Sequence, residues 1–218
     1  MIVDVFNTPS VSQNSPTLFA IRHAPPEDTT VYCHDDTPIC ATAADYLESA
    51  ILFLKSHPQT PIFVSPQPRA QQTAQLLIAS SGLDIEYTTD DRLGAKGYGK
   101  FQGQKKTSKA TLYEKFYNRP LGGENYHDVS LRTRDFLVAR SKEILQKEAI
   151  LMVTHDSTVK TFVAMCKGDP EIFLASFSYG ALTDVSEACN DADKRVKHLV
   201  DVVSAMHPGF QLSIPENE

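Results

Sequence analysis

The chain is predicted to fold as an α/β protein, a three-layer α/β/α arrangement with a mainly parallel sheet and an inserted lid between a central strand and the following helix. Three observations predict this. Short apolar runs of strand length, at residues 18–21, 62–64 and 149–153, are each followed by a segment whose apolar residues recur every three or four positions. That alternation is the sequence form of a parallel sheet covered by helices. The runs are apolar throughout, as strands buried on both faces must be. Finally, the first and third runs end abruptly on charged or polar groups, Arg22-His23 and Thr154-His155-Asp156, and the carboxyl ends of such strands are where ligands sit.

Taken in order, residues 1–15 are polar and the stretch is punctuated by Pro9 and Pro16, which predicts a poorly ordered lead-in. The fold is expected to start near Thr17 with the strand over 18–21. After a loop rich in Pro, Asp and Thr, Ala43, Leu47, Ala50, Ile51 and Leu54 fall at helical spacing, and His57-Pro58 stops the helix. The second strand is 62–64. Pro68 suits a first helical turn, Ala70, Ala74, Leu77 and Ile78 make one apolar face, and Gly82 is the stop. Residues 85–88 read as a third strand.

The stretch 92–124 has six glycines and weak periodicity, and it is read as the inserted lid, with some helix around 112–117. Val129, Phe136, Leu137 and Ile144 restore helical spacing before the strand at 149–153. The next helix buries Val159, Phe162, Val163 and Cys166, with Gly168 as its stop and Pro170 beyond. At the far end, 177–186 and 195–203 are read as an antiparallel hairpin flanking an Asn-Asp turn.

Composition bounds the function. At 218 residues, a single domain is expected. Hydrophobic residues at 41% and charged residues at 22% exclude intrinsic disorder and fibrous repeats. The longest apolar runs are five residues, 50–54 and 149–153 among them, and fall far short of the roughly 20 residues that cross a bilayer. With no basic segment followed by an apolar stretch at the N-terminus, a cytoplasmic location is expected. Cys33, Cys40, Cys166 and Cys189 show no paired spacing and are read as reduced thiols. A net charge of −6 argues against nucleic-acid and acidic-membrane partners. Residues 96–119 nevertheless hold seven cations and one acid. They form either a solvated loop or an anion-steering surface.

Three pieces together resemble the histidine phosphatase superfamily, the phosphoglycerate-mutase-like proteins: Arg22-His23-Ala24, Ser65-Pro66-Gln67-Pro68-Arg69-Ala70-Gln71-Gln72-Thr73-Ala74 and Thr154-His155-Asp156. Tyr98-Gly99-Lys100-Phe101-Gln102-Gly103 and Gly122-Gly123-Glu124 extend the resemblance, which spans residues 17–165. Each piece alone is weak; their order and spacing are specific. The resemblance implies a phosphomonoesterase that forms a phosphohistidine and needs no cofactor or metal, acting on a phosphorylated small molecule.

The chemistry agrees. A phosphomonoester needs cations on its equatorial oxygens, an in-line nucleophile and a proton for the leaving oxygen. His23 can attack phosphorus through a neutral ring nitrogen. Arg22 and Arg69 offer planar forks, and Arg69 lies at a helix start that favours anions. His155 completes the cradle. Singly, each has a plainer reading: His23 as a core histidine, Arg22 and Arg69 as surface residues, Ser65 as a turn residue, Asp156 as a helix cap. A metal site at His23, His155 and Asp156 lacks the close spacing of a dedicated motif.

The sequence also departs from the family pattern. Ala95 stands where the mutase-like branch places its proton-donating glutamate, and a methyl donates no proton. The acid phosphatase branch places its donor directly after the second histidine, where Asp156 stands. Asp156 is therefore the preferred acid, with Glu124, also a candidate substrate contact, next. Two other readings remain: a catalytically weak phosphate-binding or regulatory protein of the same fold, and mutase-like phosphotransfer.

Overall fold

The computed structural model describes residues 17–30, 37–105 and 110–206; the lead-in expected over 1–15, Cys33, Lys106 and Lys109 lie outside the described residues. Among the described residues, β1 (Thr17–Arg22), β2 (Ile62–Val64), β3 (Tyr87–Thr89), β4 (Ala149–Thr154) and β5 (Leu182–Asp184) form one sheet in the order β3-β2-β4-β1-β5. The first four run parallel to their neighbours, and β5 lies antiparallel to β1. This is the mainly parallel α/β sheet that the alternation predicts.

The pleat sorts side chains by parity. Ile21, Ile62, Val64, Leu151 and Val153 pack under α1 (Glu48–Ser56) and α2 (Pro68–Ser81) through Leu54, Ala70, Ala74 and Leu77. Leu18, Ala20, Phe63, Ile150 and Met152 face α3 (Leu112–Tyr117), α4 (Tyr126–Leu145), α5 (Asp156–Lys167) and α6 (Ala192–Ala205) on the other side. All six residues of β4 are buried, which is why that strand contains no polar residue until Thr154. Each Leu, Ile or Phe that loses its solvent contact here contributes about 1.5–3 kcal/mol.

Several expectations need correcting. The hairpin at the far end is absent: residues 195–203 lie within α6, where Val196, Leu199 and Val203 recur at helical spacing and are buried. Asp191 starts that helix by accepting the Lys194 N–H. Of 177–186 only β5 is strand, because β1 offers the sheet edge it pairs with. The third strand lies at Tyr87–Thr89 rather than 85–88, in register with β2. It is an edge strand, so the 92–124 insertion leaves from the sheet's edge and not from a central strand. The helix expected from Ala43 is split into a 3-10 turn, Ala43–Tyr46, and α1, with Leu47 between them outside the helical region.

What positions the site is register. Arg22 of β1 lies beside Thr154 of β4, and Val153 beside Val64 of β2. His23, Ser65 and His155 therefore leave three adjacent strands at one edge. The insertion is fastened next to them. Tyr98 bridges Gly123, Lys100 N–H donates to Leu121 O, and Glu124 N–H to Gly97 O. Gly99 permits this approach: its φ is +51°, and a Cβ there would collide with the backbone oxygen of Leu121.

Candidate active site

His23 follows β1 immediately, its N–H held by Thr154 O at 2.8 Å. Its Nδ1 lies 2.7 Å from Ala24 O. A carbonyl only accepts, so Nδ1 carries the ring proton and Nε2 keeps its lone pair. Arg69, in the first turn of α2, donates Nε–H to that lone pair at 3.2 Å. Its Nη2 reaches His155 Nδ1 and Gln67 Oε1, both at 3.1 Å. The two imidazole rings stand 5.0 Å apart, and all three side chains are buried. Thr73 ties strand end to helix by accepting Ala24 N–H and donating to Arg69 O.

Burial, reinforced by the charges of Arg69 and Arg22, lowers the His23 pKa to about 3 despite the opposing hydrogen bond to Ala24 O. His155, enclosed and facing Arg69, His23, Arg132 and Arg22, is held well below its ordinary value. Both rings are therefore neutral at physiological pH, as a nucleophile must be.

Arg22 borders the same site. Its guanidinium lies 3.6 Å from the centre of the Tyr179 ring, and Nη1 donates to Phe177 O at 2.7 Å. Its Nε is buried and has no hydrogen-bond partner among the described residues. Tyr179 in turn stands 5.7 Å from the His23 ring.

The two carboxylates are placed differently. Asp156 is the first helical residue of α5 and His155 occupies the cap position, so Asp156 does not cap the helix. Its carboxylate accepts Phe177 N–H, pairs with Lys160 at 2.6 Å and lies 3.6 Å from Arg22. Glu124 accepts two bonds from Arg132 and one from Gly97 N–H. It clasps the insertion to α4. Ala95 N–H meets Gln67 Oε1, so the methyl position lies beside the Arg69 contact set. Lys96 extends over the Tyr98 ring and donates to Glu124 O, and burial lowers its pKa to about 8 against the pull of Glu124 and Asp128. Among the described residues no group of three His, Cys, Asp or Glu side chains is placed to hold a metal ion.

Ser65, read from the sequence as a turn residue, stands against His155. Gln67, Thr73 and Tyr179 join the site without a role in the sequence reading; Gln67 and Thr73 lie inside the Ser65-to-Ala74 motif, which is the signal for them, while only the fold brings the Tyr179 segment to Arg22.

The family model of the histidine phosphatase superfamily, branch 1, matches residues 18–204, and the chain belongs to that superfamily. Among curated proteins no sequence match is found. Among solved structures, a mycobacterial glucosyl-3-phosphoglycerate phosphatase is similar at 20% identity and TM-score 0.66, over 78% of this chain and 89% of that one. The same mycobacterial phosphatase with VO3 gives 19%, 0.66, 78% and 90%. The alpha-ribazole phosphatase of Shigella flexneri gives 20%, 0.64, 77% and 89%. These likenesses are of fold.

Proposed function

We propose that the protein is a phosphomonoesterase acting on a phosphorylated small molecule through a phosphohistidine at His23. The observation that carries this is the His23 ring: its proton is committed to Ala24 O, and its Nε2 lone pair faces Arg69 beside His155. In the empty site Arg69 holds that lone pair. An entering phosphoryl group takes over the guanidinium's donors, and Nε2 is released to attack phosphorus as the P–O bond to the leaving group breaks. Water then cleaves the P–N bond and returns His23. Arg22, Arg69 and His155 bind the phosphoryl oxygens, which is chemistry that metal ions supply in other phosphatases. The fold neighbours named as phosphatases support the reaction class.

Leaving-group protonation falls to Asp156 in this reading, because its carboxylate lies 3.6 Å from Arg22, which borders the phosphoryl position. Ala95, together with the Lys160 and Arg22 ion pairs on Asp156, favours a second reading: a phosphate binder of weak turnover. A cytoplasmic location is part of the proposal.

The test is turnover of p-nitrophenyl phosphate and an alkyl phosphate by the native protein and by His23→Ala, with alkaline-quench trapping of the phosphoenzyme. Native turnover of both substrates, unchanged by EDTA, with an acid-labile phosphohistidine absent from His23→Ala, supports the reading. Retained turnover in His23→Ala refutes it. Turnover confined to the nitrophenyl ester favours the weak-binder alternative.

A further inference from the structure

Among the described residues, Ser65 is the one polar side chain hydrogen-bonded to His155 that the proposed reaction does not use. It leaves the end of β2 fully buried, with Oγ 2.8 Å from His155 Nε2. The same oxygen accepts Gln67 N–H at 3.3 Å. The other face of the ring meets Arg69 Nη2 at 3.1 Å. A guanidinium has donors and no acceptor, so Nδ1 is bare in the empty site and the single ring proton sits on Nε2, directed at Ser65. Ser65 is then an acceptor twice over. Its own hydroxyl proton has no acceptor among the described residues.

Occupation of the site reverses what Nδ1 faces. On the reading above, Arg69 turns its donors to the phosphoryl group, and a phosphoryl oxygen comes to stand where the guanidinium stood. Two lone pairs would oppose each other there unless Nδ1 gained a proton. Doubly protonating the ring would put a cation into an enclosed space already facing Arg22, Arg69 and Arg132, with His23 alongside. The alternative is the other neutral tautomer, with Nδ1–H donating to phosphate and Nε2 accepting. That form needs a donor at Nε2, and Ser65 can become one by rotating about Cβ–Oγ with no heavy atom moving. A carboxylate at this position could only accept. A lysine could only donate.

We propose that Ser65 is a positioning residue that allows His155 to exchange tautomers when a phosphoryl group binds, so that the ring accepts from Arg69 in the empty site and donates to phosphate in the filled one. The exchange balances. One proton leaves Nε2 to water, one reaches Nδ1 from water, Ser65 retains and turns its own, and no charge is created. The His155–Ser65 hydrogen bond is kept and reverses its direction, and the Ser65 proton that was idle is the one that donates. The Gln67 N–H bond to Ser65 is available in both states because the hydroxyl oxygen has two lone pairs.

The inference rests on phosphate binding at this site, and the experiment separates the two. The full chain, with ring-15N-labelled histidine, is examined by NMR without ligand and with saturating vanadate. His155 should carry its proton on Nε2 when free and on Nδ1 when loaded. A ring that keeps Nε2–H, or becomes doubly protonated, while vanadate binds overturns the exchange and leaves the phosphatase reading standing. Absence of vanadate binding strikes at that reading itself and takes the exchange with it. Ser65→Asp, whose carboxylate can only accept, should keep a proton on His155 Nε2 in the loaded as in the free protein. A vanadate-loaded Ser65→Asp ring protonated on Nδ1 alone would also overturn the proposal.

Discussion

Acidification from about pH 7 to about pH 5 should cost the native protein about 2 kcal/mol of stability through His23 alone. The folded pKa of this ring lies at about 3, against an ordinary value of 6.5. Above the ordinary value both folded and unfolded states hold the ring neutral, and no difference arises. Below it the unfolded chain takes up a proton that the buried ring refuses, so stability falls with pH until the folded value is reached. Over the roughly 1.5 units below the ordinary value, at about 1.4 kcal/mol per unit, the loss is about 2 kcal/mol. His155 shifts the same way and adds to the slope. Asp90 does not act in this window. Burial pushes its carboxyl up, but Arg92 and Arg140 hold it below 3.8, so its contribution is lost only at lower pH. The assay is urea denaturation of the native protein and of His23→Gln at both pH values. The variant, lacking the titrating ring, should lose about 2 kcal/mol less between them. Parallel losses would refute the claim that His23 is neutral in the folded state, and with it the argument for its Nε2 as a nucleophile.

Three further outcomes follow from the same geometry. Asp156→Asn should reduce alkyl phosphate hydrolysis by about 100- to 10,000-fold while sparing p-nitrophenyl phosphate, whose phenolate leaves with little protonation; equal losses on both reject the acid role, and a larger selective loss in Glu124→Gln moves that role to Glu124. Neutralising the exposed Lys100 and Lys105 together should raise KM most at low salt and little at high salt, because exposed charges act over about one Debye length; a salt-independent change would leave these lysines as a solvated face. Gly99→Ala should destabilise the clasp between 97–100 and 121–124 by about 1–3 kcal/mol, given the positive φ and the close backbone, and thermal unfolding with native Tm would show that the insertion relaxes freely.

Much of this molecule is legible along the chain because the relevant physics is local. A buried parallel strand must be apolar at consecutive positions, so β1, β2 and β4 are visible as runs, and Pro68 and Gly82 mark the ends of α2 through their own dihedral preferences. The candidate phosphate cradle is legible for the same reason: Arg22, His23 and His155 stand at strand ends, and Arg69 stands in a first helical turn. The α6 spacing was equally available in Val196, Leu199 and Val203, but short apolar segments satisfy helix and strand readings alike until a neighbour is specified.

Only the tertiary structure decided the partners. That Asp156 faces Lys160, Arg22 and Phe177, that Glu124 clasps Gly97 to Arg132, and that Tyr179 lies against Arg22 depends on segments far apart in the chain. The state of each histidine belongs to the same class. A ring nitrogen's proton is set by what it faces, whether Ala24 O, Arg69 or Ser65, and by how far water is excluded. Sequence specifies which groups are present at the strand ends; folding specifies their distances, and both hydrogen bonding and electrostatic energy depend on distance and burial.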